Sequence, residues 1–179
     1  MTDAAQRQAT YAELEAALPA LRAAPRERGV LDMIVRRPAA GTREVLTAGE
    51  LRVDEGLVGD RWALTRRGEP LTLIGSRLLA ALASTRDLWP LAGDQLYVDF
   101  DLSVDHVPPG TRLGIGAAVV AVSAEPHTGC RKFRDRYGVD ALRFINSPVG
   151  RELNLRGINA RVLAGGAVRV GDPVCALFD

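Results

Sequence analysis

Leu113-Gly-Ile-Gly116-Ala-Ala-Val119-Val-Ala-Val122 carries two apolar stretches joined by a glycine turn. A turn residue between two runs of β-formers is the signature of a hairpin, here Arg112 to Ile115 against Ala118 to Val122. The same pattern returns near the C-terminus as Val168-Arg-Val-Gly171-Asp-Pro-Val174-Cys-Ala-Leu177. Two ribbons built on similar glycine corners are what a sheet closing on itself needs.

Outward from that hairpin the period stays at two. Gln95 to Phe100 alternates, with Leu96, Val98 and Phe100 on one side. Leu31, Met33 and Val35 are expected to share one face of an earlier strand that Pro38 to Gly41 ends. Arg43 to Thr47, Glu50 to Val53, Leu71 to Ile74, Leu155 to Leu163 and Pro173 to Phe178 add further strands, with Gly165-Gly166 as a hairpin turn. Helices are few and short. Thr10 and Glu13 have capping-box spacing ahead of Leu14, Leu18 and Leu21, Ser76 is expected to cap a helix carrying Leu78, Leu79 and Leu82, and Asp140 one carrying Leu142, Phe144 and Ile145. With about ten strands and no alternating βαβ pattern, the expected class is mainly β with short helices (α+β), a closed or nearly closed β-barrel. Residues 1–29 read as an N-terminal helical extension that packs on the domain rather than serving as a docking arm, with Met1 to Ala9 mobile. Residues 30–179 read as the barrel domain.

Composition narrows the function classes. Hydrophobic residues make up 47% and charged residues 25% of the 179, the profile of a soluble globular domain with a real core. A net charge of +1 gives no overall field for nucleic acid or a membrane surface. Residues 1–9 lack an apolar signal region and no apolar run is long enough to span a bilayer, so the expected compartment is the cytoplasm, with free thiols. Lys132 is the only lysine among 23 basic residues, so a Schiff-base mechanism has no other candidate, while arginine supplies planar donors for carboxylate and phosphate.

Chemistry concentrates in Ser123-Ala-Glu-Pro-His127-Thr-Gly-Cys130-Arg131-Lys132-Phe133-Arg134. Thiolate, not thiol, is the nucleophile and metal ligand, and the flanking Arg131, Lys132 and Arg134 favour it, as does a helix beginning at Cys130. A buried, inert cysteine is the competing reading, and for Cys175, inside the closing strand, it is the better one. Gly56-Leu-Val-Gly59-Asp60-Arg61-Trp62 is either a tight turn with a local ion pair or a backbone that approaches a ligand, with Arg61 as anion clamp. A structural zinc would need both histidines and both cysteines to converge. Serine-hydrolase, P-loop and dinucleotide fingerprints are absent.

In order and spacing, these segments resemble the MOSC domain family, in its small stand-alone form. The resemblance runs through Gly56-x-x-Gly59-Asp60-Arg61, Gly93-Asp-Gln-Leu96-Tyr-Val98-Asp-Phe-Asp-Leu102, Pro109-Gly110-Thr-Arg-Leu-Gly-Ile-Gly116, the cysteine after Val119 to Val122, Arg156-Gly157-Ile-Asn-Ala-Arg-Val-Leu163 and Gly166 to Val174. It implies a barrel of the MOSC or pyruvate-kinase-barrel-like type. It also implies that Cys130 is the reactive residue, as ligand to molybdenum of a pterin cofactor or as sulfur carrier. Gly59, Asp60, Arg61, Arg131 and Lys132 are the implied cofactor-binding residues. The implied activity is an oxidoreductase acting on N-hydroxylated small molecules, served by an electron-donor protein; the alternative is a cofactor-handling persulfide carrier fed by a cysteine desulfurase. Pyridoxal phosphate belongs to a separate domain in the larger relatives and is not expected. Three positions depart from the family: Gly129 stands where Pro commonly precedes the cysteine, and Asp94-Gln95 where Glu-Asn is common.

Overall fold

The computed structural model describes residues 7–178. Eleven strands run β1 (Gly29–Arg36), β2 (Glu44–Leu46), β3 (Ala48–Arg52), β4 (Gly56–Leu57), β5 (Leu71–Gly75), β6 (Leu96–Asp99), β7 (Arg112–Ile115), β8 (Ala118–Val122), β9 (Ile158–Ala164), β10 (Gly166–Arg169) and β11 (Pro173–Leu177). Seven of them close a barrel in the order β1-β11-β7-β8-β9-β5-β6 and back to β1, and β2 adds to the outer edge of β1. Every barrel pairing is antiparallel except β5 with β6. A parallel pair needs a crossover, and α4 (Ser76–Leu82) with the 3-10 turn Arg86–Ala92 supplies it.

The barrel interior is filled by Leu31, Ile34, Leu73, Leu96, Val98, Leu113, Ile115, Val120 and Val174. A second sheet, β10-β3-β4, closes one region of it by adding Leu51, Leu57 and Val168 to the same core. Outside the barrel lies a second apolar core beneath helices α1 (Tyr11–Ala16), α2 (Leu18–Arg22), α4, α5 (Arg131–Tyr137), α6 (Val139–Ile145) and α7 (Pro148–Glu152). The remaining short helix is α3 (Trp62–Thr65).

Most of the sequence expectations hold, and the exceptions have physical causes. Leu96, Val98 and Phe100 face the barrel interior while Tyr97 faces the helices, as the alternation requires. Leu31, Met33 and Val35 do not share a face. A register shift between Leu31 and Met33 puts Leu31 and Ile34 inside and Met33 and Val35 under the helices. Gly165-Gly166 is not a hairpin turn, because β9 and β10 belong to different sheets. Glycine is needed there for close approach, since a Cβ on Gly166 would lie 2.5 Å from the Ala117 carbonyl oxygen. β10 and β11 likewise part company, so the C-terminal echo of the hairpin is a sheet-to-sheet crossing. Gly75, not Ser76, caps α4, and the Ser76 hydroxyl bonds to Asp32 instead. Gly138, not Asp140, precedes α6, and Asp140 accepts from the Tyr11 amide at 3.1 Å, docking α1. The Thr10–Glu13 capping box is present and Leu14 is fully buried, so the N-terminal helices are part of the outer core. Residues 1–6 of the segment expected to be mobile lie outside the described residues, and Ala9 is buried.

Candidate functional site

The segments after β1, before β6, after β8 and before β9 meet the loop 61–69 around a cavity of about 450 Å³. Four arginines line it: Arg37, Arg61, Arg67 and Arg156. Two of them are built into ion pairs. Arg37 donates through Nε and Nη2 to the two carboxylate oxygens of Asp60, each at 2.9 Å, and through Nη1 to the Gly93 carbonyl at 2.8 Å. Asp60 also accepts from the backbone amides of Arg37 and Trp62, at 2.9 and 3.0 Å. Arg156 donates to Asp94 at 2.8 Å, and both side chains are buried, at 9% and 0% exposure. Among the described residues Arg61 and Arg67 have no acidic partner. Of the two glutamates on the wall, Glu69 is bound to Arg161 and Ser123, which leaves Glu125 against two uncompensated arginines. The cavity is therefore net positive and lined with planar donors, an environment for a phosphate-bearing anion.

His127 reaches the wall of this cavity from the loop after β8. Its Nε2 lies 3.7 Å from Asp94 Oδ1, too far for a hydrogen bond. Burial is the main force lowering its pKa, from 6.5 to about 4; the Arg156 and Arg37 charges act the same way and Asp94 opposes them. The imidazole is thus neutral at pH 7. Asp94 Oδ1, His127 Nδ1 and Arg156 Nε are all buried without a protein partner, so this corner holds unused hydrogen-bonding capacity. The unfolded chain takes up a proton on His127 below pH 6.5 that the folded chain refuses until about pH 4, so stability falls as pH drops through that window. Urea unfolding between about pH 7 and pH 4.5 is expected to show wild type losing on the order of 3 kcal/mol more than His127→Gln as the window is crossed.

Cys130 is exposed and opens α5, whose backbone is fixed from both sides. Phe133 and Tyr137, one turn apart, bury the inner face of α5, each worth roughly 1.5–3 kcal/mol, and the Arg156 guanidinium sits 5.2 Å from the Phe133 ring centre. On the other side, the Gly129 amide donates to Asn146 Oδ1 at 3.2 Å. A Cβ at 129 would lie 2.6 Å from Ile145 Cδ1 and 2.8 Å from Leu142 Cδ1. Those two contacts are with the flexible ends of side chains, which can shift, so the amide bond to Asn146 is the firmer local tie at position 129. Gly129→Pro removes the amide donor and crowds α6, with an expected loss of about 1–3 kcal/mol by thermal unfolding.

The six residues singled out from sequence occupy four kinds of place, the first being that of Cys130, exposed at the start of α5 and outside the cavity lining. Arg61 lines the cavity. Asp60 and Gly59 serve the turn itself: both Asp60 oxygens are committed to Arg37 and Trp62, and Gly59 has φ +80°. Arg131 and Lys132 point outward from α5; the Arg131 side chain is 84% exposed and faces Asp135 at 3.7 Å, and neither residue lines the cavity. Arg134 also pairs with Asp135, at 3.0 Å. Arg37, Arg67, Asp94 and Arg156 emerge only from the fold, although Asp94 and Arg156 both lie within the quoted motifs. Cys175 sits in β11 opposite Gly114.

Residues 89–175 match the family model of the MOSC domain. No curated protein matches the chain by sequence. Among solved structures, the YuaD protein of Bacillus subtilis is similar with a TM-score of 0.61 at 14% identity, over 85% of this chain and 97% of that one. YiiM from Escherichia coli gives 0.56 at 18% identity, over 84% and 70%. YiiM from Geobacillus stearothermophilus gives 0.54 at 15%, over 84% and 75%. These likenesses establish the shared barrel.

Proposed function

We propose, from the premise that residues 89–175 of this chain form a MOSC domain, that it binds a molybdenum-pterin cofactor and reduces small N-hydroxylated molecules. The observation that carries this reading is the arginine-lined cavity, in which Arg61 and Arg67 have no acidic partner among the described residues. Those two arginines would hold the cofactor's anionic phosphate, and Arg156 and His127 offer unused donor and acceptor capacity to its polar edge. Cys130 supplies a soft thiolate for the metal. When bound, the cofactor provides a metal centre that accepts oxygen from an N–O bond. The chain's own residues bind, orient and partly dry the site: Asp60 holds Arg37, Asp94 holds Arg156, and the buried His127 imidazole is available to accept a proton at its free nitrogen. Electrons are supplied by a partner protein.

The exposure of Cys130 favours a second reading, in which the thiol carries a persulfide to or from another protein and performs no turnover of its own. Metal analysis decides between them: wild type made in a cofactor-competent host should contain molybdenum and Cys130→Ser should not. A metal-free wild type whose Cys130 accepts sulfur from a cysteine desulfurase would replace the first reading with the second.

A further inference from the structure

A second cavity, of about 420 Å³, shares His127 and Arg156 with the first and is otherwise formed largely by α6, α7 and the residues just before Cys130. No acidic side chain among the described residues lines it. Of its two arginines, Arg156 is committed to Asp94, whereas Arg151, in the last turn of α7, has no ion-pair partner among the described residues. Pro126 and Ile145 give it an apolar surface. The amide of Asn154 donates to the Leu102 carbonyl at 2.8 Å, which leaves its oxygen as an acceptor. The chamber is also tied to the thiol: Thr128 lines it, and Asn146, on its wall, fixes the Gly129 amide immediately before Cys130. Gly150 lets α7 close on α6, since a Cβ there would lie 2.3 Å from the Phe144 carbonyl oxygen.

We infer that this second cavity is the substrate chamber, and that it takes small organic carboxylates, with the carboxylate on Arg151 and an apolar body against Pro126 and Ile145. The inference rests on the cofactor-binding reading of the first cavity, and it names the class of N-hydroxylated molecule that site would meet. Charge decides the class. A pocket whose one uncompensated ionised group is a guanidinium, with apolar walls and no carboxylate, rewards an anion and repels a cation. Its volume falls in the range of small-molecule sites. His127 and Arg156, belonging to both cavities, place a ligand here beside whatever the arginine-lined cavity holds.

The test uses the full chain without cofactor, titrated with benzoate and with benzamide, its neutral counterpart, and followed by amide-resolved NMR. Benzoate should shift the Thr128, Asn146 and Gly150 amides and bind about tenfold or more tightly than benzamide, matching loss of one charge-assisted bond. Arg151→Gln should weaken benzoate by about the same factor. The exposed Arg28 lines neither cavity, and Arg28→Gln should leave the affinity unchanged. Equal binding of the two probes, an unchanged affinity in Arg151→Gln, shifts centred on Arg61 to Gly68, or no saturable binding would each overturn the assignment. The titration and the molybdenum measurement are independent, so failure of one is not mistaken for failure of the other.

Discussion

Arg156→Ala lowers the unfolding free energy by about 3–5 kcal/mol, the range for removing one partner of a buried ion pair. Asp94 is fully buried, and Arg156 is its ion-pair partner at 2.8 Å. Without the guanidinium, the carboxylate is left buried without its counter-charge, which costs free energy. The truncation also forfeits the Arg156 bond to the Ala92 carbonyl at 3.2 Å and the guanidinium's stacking near Phe133. Urea unfolding should show the midpoint falling with the slope unchanged, and thermal unfolding a drop of roughly 10 °C for a chain of this length. The double variant Asp94→Leu/Arg156→Met should recover much of the loss, because it removes both charges and leaves no orphan. A cost below about 1 kcal/mol for Arg156→Ala would mean that water already solvates the pair. The corner shared by the two cavities would then not be the dry environment that keeps His127 neutral.

The barrel was legible in the sequence wherever one side of a strand faces a core and the other does not. Leu96, Val98 and Phe100 alternate with Tyr97 because the interior lies on one side and the helical layer on the other. The hairpin of β7 and β8 was legible because Gly116 has φ +54° and both strands stay in one sheet. The bulge at Asp32 was not, since an extra residue in β1 shows only against its partner β6. Nor was the crossing at Gly165-Gly166, where two glycines fit a tight turn and a close backbone approach equally well.

For the candidate site, local pattern reaches the residues whose placement depends on their own segment and not those whose placement depends on distant contacts. Cys130 at the start of α5 and Arg61 on the cavity wall follow from neighbouring residues. Arg156 and Asp94 meet across 62 positions, and Arg37 and Asp60 across 23, so their pairing depends on barrel closure. Arg131 and Lys132 show the converse limit of local pattern. Proximity in sequence to a cysteine suggested a shared role, yet a helical start turns successive side chains to different sides, and these two face solvent. Asp60 is the intermediate case: its segment is a turn, but its ion pair is with the distant Arg37 rather than the neighbouring Arg61, and its carboxylate positions Arg37.

Cys130→Ser should reduce molybdenum in the purified protein from near one equivalent to less than about a tenth, while leaving the fold intact. Sulfur and oxygen differ here in kind. A thiolate sulfur is a soft donor to a transition metal; a serine hydroxyl is a hard, weak one. Because the Cys130 side chain is exposed, the substitution should change stability by no more than about 0.5 kcal/mol, so metal loss would not be a symptom of unfolding. Cys175→Ser is the matching control: that thiol lies in β11 with Gly114 opposite, away from the arginine-lined wall, and the variant should keep its metal. Arg61→Gln/Arg67→Gln should lose cofactor and metal together, because it weakens the anion's hold and leaves the thiolate in place. Equal molybdenum in wild type and Cys130→Ser would remove Cys130 as the ligand. Metal retained by the double arginine variant would instead mean that the cavity is not where the anionic part binds.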